Sequence, residues 1–241
     1  MTGFSEEWNA KMKILVILAH PDDPEFFCGA TLARWARQGH RIVYVLLTNG
    51  DKGASDPSVD PAELAARRQA EQRAAARVIG AERVEFIGYP DGFLVSNAET
   101  RELVVRIIRQ EKPDILVGSD PLNFYPIGDT RVNHPDHRAA GQILLDAYYP
   151  AAGSPMYYPE HLRDGLEPHS IKELWMSIPD RENLEVDVTA TWEIKLEALH
   201  CHQSQIGDPA AFDERMRARR TAESTAEAPR YTERFRRIRF L

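Results

Sequence analysis

The run Ile14-Leu-Val-Ile-Leu-Ala19 is apolar at every position and rich in branched side chains. A strand with one wet face would alternate, so this run must be covered on both faces, as in a parallel sheet held between helix layers. Parallel neighbours need a crossover, and the chain supplies one. Ala30 to Gln38 carries apolar residues at helical spacing, Gly39 is a stop, and Arg41 to Thr48 is a second buried run.

The alternation continues. Asn49 to Asp60 is a loop, and Asp60-Pro-Ala-Glu63 has the residues that open a helix, which runs to Ile79 and stops at Gly80. Val84 to Ile87 is a short strand. Ser96-Asn-Ala-Glu99 has capping-box form and opens a helix through Arg109, and Ile115 to Val117 is a strand after the Pro113 break. Arg138 to Tyr149 reads as helix and Pro150 to Pro159 as a long surface connection that shapes substrate access. Ile171 to Ile178 and Leu184 to Val188 read as late strands, and Thr189 or Thr191 as the cap of a helix carrying Lys195 to His202. The expected architecture is α/β: one domain over 1–241, a Rossmann-like open and mainly parallel sheet with helices on both faces. Residues 1–12 are expected to be a loose N-terminal extension.

The net charge of -7 and pI near 5.7 exclude a protein whose main task is to neutralise a phosphate backbone, so no nucleic-acid partner is expected. The basic cluster Arg230, Arg234, Arg236, Arg237 and Arg239 reads as a solvated helix face. Two isolated cysteines, Cys28 and Cys201, give no disulfide framework and point to a reducing cytoplasm. No apolar run is long enough to span a bilayer.

His20-Pro-Asp-Asp23 follows the first strand directly, at the carboxyl end where open α/β sheets bind ligands. His134-Pro-Asp-His137 lies in a comparable loop before a helix. Asp22, Asp23, Glu25 and Asp136 would repel one another in a cleft unless a cation or protonated histidines offset them. Imidazole and carboxylate donors suit zinc, and two histidines with one carboxylate leave an open coordination position; iron(II) accepts the same set. Each cluster alone is also an ordinary helix opening, so the argument rests on the pair.

Ala19-His-Pro-Asp-Asp-Pro-Glu25 with Gly29-Ala-Thr-Leu-Ala33 and His134-Pro-Asp-His137 resembles the LmbE-like or PIG-L deacetylases, zinc enzymes that hydrolyse N-acetyl groups from glucosamine conjugates. Thr48-Asn-Gly50, Arg68 with Glu71, Tyr89-Pro-Asp-Gly92, Lys195 with His202-Gln-Ser-Gln205 and the Phe235 to Ile238 tail extend the resemblance over nearly the whole chain. It implies that His20, Asp23 and His137 bind zinc, that Asp22 is the general base, and that His134 assists as a protonated partner steered by Asp136. Arg68, Asp91 and His202 are the implied substrate residues. The implied partner is an N-acetylated sugar or related small-molecule amide, and relatives occur both as single chains and as trimer-based hexamers, which leaves a homo-oligomer, trimer or hexamer, open beside a single chain. Two departures stand out: Val132 occupies the place of an oxyanion-holding tyrosine, and Ala30 that of a second glycine. An amidase acting on a thiol conjugate fits the same residues. A nucleotide-binding module fits poorly, because two carboxylates would face the phosphate and no G-x-G-x-x-G is present; a non-catalytic metal-binding protein has no need of Asp22 or Asp136.

Overall fold

The computed structural model describes residues 8–126, 130–225 and 227–240. Strands β1 (Lys13–Leu18), β2 (Arg41–Thr48), β3 (Arg83–Tyr89), β4 (Ile115–Ser119), β5 (Glu173–Ser177), β6 (Leu184–Asp187) and β7 (Thr232–Arg239) form one seven-stranded sheet in the order β3-β2-β1-β4-β5-β7-β6. The first five are mutually parallel and β7 runs antiparallel to both of its neighbours. The mainly parallel α/β sheet expected from the sequence is present.

The two faces of β1 divide the core. Ile14, Val16 and Leu18 pack with Ile42, Tyr44 and Leu46 of β2 under α1 (Asp23–Arg37), α2 (Pro61–Ile79) and the later helix Trp192–His200. Leu15 and Ile17 pack with Val43 and Val45 under α3 (Ala98–Glu111) and α4 (Pro135–Asp146) on the opposite face. Each such side chain, taken fully out of water, contributes about 1.5–3 kcal/mol. This two-sided burial is why the strands read as unbroken apolar runs.

Local signals place most of the helix ends. The Asp60 carboxylate accepts from the amides of Ala62 and Glu63, and Gly80 closes α2 at a φ of 93°. The capping box lies one residue later than expected: Asn97 caps α3 with Thr100 as its reciprocal partner, and Ser96 lies outside it. Neither Thr189 nor Thr191 caps its helix by side chain, since the Thr191 hydroxyl donates to Ala30 O at 2.7 Å instead. Helix α1 begins at Asp23 rather than Ala30 and breaks at Cys28, whose φ is −146° and ψ 17°. A buried pair repairs the break. Lys195 Nζ donates to Phe26 O at 3.0 Å, and Glu233, 2.6 Å from Lys195, accepts from the amides of Ala30 and Thr31 at 3.1 and 2.8 Å.

The basic tail is a strand, not a helix face. Along β7, Glu233 and Phe235 are buried while Arg234 and Arg236 are exposed, the period-two pattern of a strand. Helix α4 ends at Asp146, earlier than expected, because Tyr149 takes an extended conformation within the following irregular turn, 147–152. Residues 1–7 of the expected extension lie outside the described residues, but Trp8 is docked against Trp35 and Trp175 and donates to Glu173 at 3.2 Å. Among the described residues no helix is long and apolar enough to cross a membrane.

Candidate metal centre and active-site cavity

Strands β1 and β4 are neighbours, yet the chain leaves β1 toward β2 and returns to β4 from the far side, so a crevice opens between their carboxyl ends. The turn after β1 carries His20, Asp22 and Asp23. The segment after β4 enters α4 through His134, Asp136 and His137.

The two clusters meet. His20 Nδ1 is 3.2 Å from His137 Nε2, Asp23 Oδ1 is 3.1 Å from His137 Nε2, and Asp23 Oδ2 is 3.4 Å from His20 Nδ1. Donor atoms on a tetrahedral ion with bonds of about 2.0–2.1 Å lie about 3.3–3.4 Å apart, so the His20–His137 separation is of the size a shared small cation would give, with the two oxygens of Asp23 facing one ring each. The outer nitrogens agree. His20 Nε2 faces Asp136 Oδ2 at 3.1 Å and Asp91 Oδ1 at 3.2 Å, and His137 Nδ1 faces Asn133 Oδ1 at 2.9 Å. Acceptors on those nitrogens place the ring protons outward and leave both inner lone pairs aimed at the shared point. Among the described residues, the groups around this point whose side chains could hold an ion are His20, His134 and His137, and His20, Asp91, His134 and Asp136.

The electrostatics are those of a site that could hold a cation. Burial works against the His20 imidazolium, but Asp23, Asp136 and Asp91 outweigh it and push its pKa up to about 12. Burial likewise opposes ionised Asp23, yet His137 and His20 hold it well below the usual carboxylate range. Both shifts favour positive charge at this point. Asp22 behaves differently: burial raises it to about 6, with Arg68 pulling down and Asp23 pushing up. Its Oδ2 lies 3.2 Å from Arg68 Nη2, and its φ of 99° is in the left-handed region, a conformation that costs an L-residue about 1–3 kcal/mol and clusters at functional sites.

Two sequence expectations need correction. Asp136 does not steer His134: besides His20, its carboxylate accepts from the amides of Gly92 and Leu94 at 2.7 and 3.1 Å. The reason is local, since His134 is the cap of α4 and its Nδ1 accepts from the Asp136 amide at 3.2 Å. With Nδ1 accepting, Nε2 carries the ring proton and lies 3.7 Å from Asp91, and burial with the neighbouring His20 and His137 lowers the pKa of His134, which works against the imidazolium. His202 does not line the cavity; it is fully buried with Nε2 3.1 Å from Glu25. Arg68 and Asp91 do line it, but as partners of its other charges, with 3.8 Å between them.

A cavity of about 1010 Å³ opens over the cluster, at the upper end of the range for small-molecule sites. Lys52 and Gly53 of the Asn49 to Asp60 loop form part of its wall, as do Phe93, 66% exposed, and Val132. The Pro150 to Pro159 segment takes no part. It is held on the other side of α3, where buried Arg109 donates to the carbonyls of Ala151, Ser154 and Tyr157. Sequence reasoning missed Gln72, which meets the Asp22 amide, and Asn133, which lies just before the α4 cap His134 and faces His137 Nδ1; the closeness of Asn133 to His137 along the chain was the available signal.

A family profile described as PIG-L, GlcNAc-PI de-N-acetylase, matches residues 15–148. The chain is 35% identical over 201 residues to a diacetylchitobiose deacetylase of Thermococcus kodakarensis, covering 83% of this chain and 73% of that one. It is 31% identical over 190 residues to a 1D-myo-inositol 2-acetamido-2-deoxy-alpha-D-glucopyranoside deacetylase of Saccharopolyspora erythraea, covering 68% of this chain and 65% of the relative. The solved structure of an N,N'-diacetylchitobiose deacetylase from Pyrococcus horikoshii superposes with a TM-score of 0.86 at 29% identity, over 99% of this chain and 88% of that one.

Proposed function

Because this chain belongs to the PIG-L family, we propose that it is a divalent-metal hydrolase that removes the N-acetyl group from an N-acetylglucosamine-containing small molecule. The observation that carries the reading is the meeting of His20 Nδ1, His137 Nε2 and an Asp23 carboxylate at 3.1–3.4 Å, with both rings locked by outer acceptors. Zinc is the ion we assign to these three donors, and iron(II) is the alternative. When bound, such an ion polarises an amide carbonyl and acidifies a water molecule.

The chain's own residues do the rest. Asp22, half-buried beside Asp23 and lining the cavity, has the elevated pKa suited to a general base at neutral pH. Arg68 fixes its carboxylate by the 3.2 Å contact. His134 presents Nε2–H toward the cavity and is the donor available to a developing oxyanion, in the role that Val132 cannot fill. Asp136 and Asp91 orient His20, and Asn133 orients His137. The inner wall therefore holds the reacting amide, and the wider cavity with Lys52 and Phe93 receives what is attached to the sugar. Both cysteines are free, which keeps the reducing cytoplasm as our assigned compartment.

Acetate release from diacetylchitobiose, N-acetylglucosamine and acetamido-sugar inositol conjugates, run with measured ion content before and after chelation, tests this. Loss of release on chelation and its return on adding zinc are expected. Release that survives complete removal of the ion would overturn the reading.

A further inference from the structure

Two side chains of α2 one turn apart reach the turn that carries Asp22. Arg68 takes its carboxylate and Gln72 takes its backbone. Gln72 is fully buried; its Oε1 accepts the Asp22 amide at 2.6 Å, and its Nε2 donates to both oxygens of Glu25 at 3.1 and 2.9 Å. Glu25, also fully buried, accepts in turn from His202 Nε2 at 3.1 Å. Neither Gln72, Glu25 nor His202 lines the cavity.

This chain of contacts has one polarity. Turning the Gln72 amide over would set its NH₂ against the Asp22 N–H and its oxygen against the Glu25 carboxylate, donor on donor and acceptor on acceptor. Buried Glu25 therefore dictates which end of Gln72 meets Asp22, and His202 supplies the donor that keeps Glu25 in place. Asp22 needs such a hold. Its φ of 99° belongs to a region that L-residues leave when free to do so, and its side chain forms no cap on α1. A return to negative φ would swing the Cα–Cβ bond and carry the carboxylate away from its neighbour Asp23. Asp23 would stay, anchored by the His20 amide at 2.8 Å.

We propose that Gln72, oriented by Glu25 and His202, is a positioning residue that keeps Asp22 in its left-handed conformation and so sets where the base stands relative to the metal ligands. This rests on the reading of Asp22 as the base. It separates two properties that a merely structural residue would lose together: ion binding, which depends on Asp23, and turnover, which depends on Asp22.

The test uses the full chain with diacetylchitobiose as substrate and compares Q72M, Q72E, the exchanged pair Q72E/E25Q, and D22N. Q72E sets two carboxylates face to face. The exchanged pair restores an acceptor for the Asp22 amide, an amide donating to it, and an acceptor for His202. Misplacement of a reacting group by about 1 Å costs on the order of a hundredfold in rate, so Q72E and Q72M should lose about that much in kcat. KM and bound ion should stay near the parent values, and the exchanged pair should recover about tenfold or more over Q72E. If Q72M and Q72E keep the ion and the parent kcat while D22N is inactive, the positioning role is wrong and the base reading stands. An exchanged pair that folds, binds the ion and recovers nothing overturns it as well. A D22N enzyme with parental turnover removes the base reading and the proposal with it.

Discussion

Asp22 and Asp23 are adjacent in sequence and opposite in electrostatic behaviour. Asp23 is drawn to the ionised state by two imidazoles, while Asp22 is raised to about 6 mainly by burial. Asp22→Asn should therefore keep the ion and lose turnover by about 10²–10⁴-fold, whereas His137→Ala should lose the ion; metal analysis beside kcat distinguishes the two, and equal ion loss would end the division of labour. The base must be ionised to act, so activity should be present above pH about 6 and fall as pH drops through that value. A cation beside Asp23 favours the Asp22 carboxylate and can move this acid limb only downward. A limb in kcat above neutral pH would assign it to another group. Asp136→Asn should weaken ion affinity by about 10–100-fold, because its carboxylate supports His20, and a titration with a competing chelator would read it. At this scale the residue types of the two His-Pro-Asp clusters pointed to a shared cation, and the family resemblance supplied His20, Asp23 and His137 as the three donors we propose. The partner of Asp136 was illegible: it depends on which ring a folded carboxylate faces, and His134 lay closer along the chain.

Helix α4 delivers His137, and its seat on the sheet depends on one missing side chain. A Cβ at Gly141 would come within 2.2 Å of Ser119 O and 2.9 Å of Pro121, backbone and ring that cannot yield. Gly141→Ala should push α4 outward and loosen His137, so ion affinity should fall even though residue 141 touches no ligand; unchanged affinity would show that α4 shifts without moving its first turn. The Lys195 and Glu233 pair sets α1 in the same way. Glu233→Ala leaves a buried ammonium without its counter-ion and two backbone amides without partners, and should cost about 3–5 kcal/mol in urea unfolding. Elements whose ends are set by local chemistry were readable, as Asp60 and Gly80 show for α2. Those set by distant partners were not. The break at Cys28 is made tolerable by a strand some two hundred residues later, and the arginines of β7 read as a helix face because the inward side of that strand carries Glu233, Phe235 and Arg237 and so shows no apolar alternation.

For the molecule as a whole, an ion that binds only the folded chain adds stability as RT ln(1 + [L]/Kd), about 2.7 kcal/mol at a hundredfold excess over Kd. For a domain of this size that is a rise in Tm on the order of 5–10 °C between the chelated and reloaded protein, and His137→Ala should show none. The sheet was legible from β1 and β2 onward because two-sided burial leaves an unmistakable pattern, while the walls of the cavity were half legible: the Asn49 to Asp60 loop lines it and the Pro150 to Pro159 segment does not. His20 and His137 are 117 positions apart, and the strands that carry them lie side by side. During synthesis, then, a ribosome-tethered chain that has exposed only β1 through β3 owns two of the three donors we propose and lacks the third. On that assignment the full site is a late product of folding, complete only when β4 has docked and α4 has emerged.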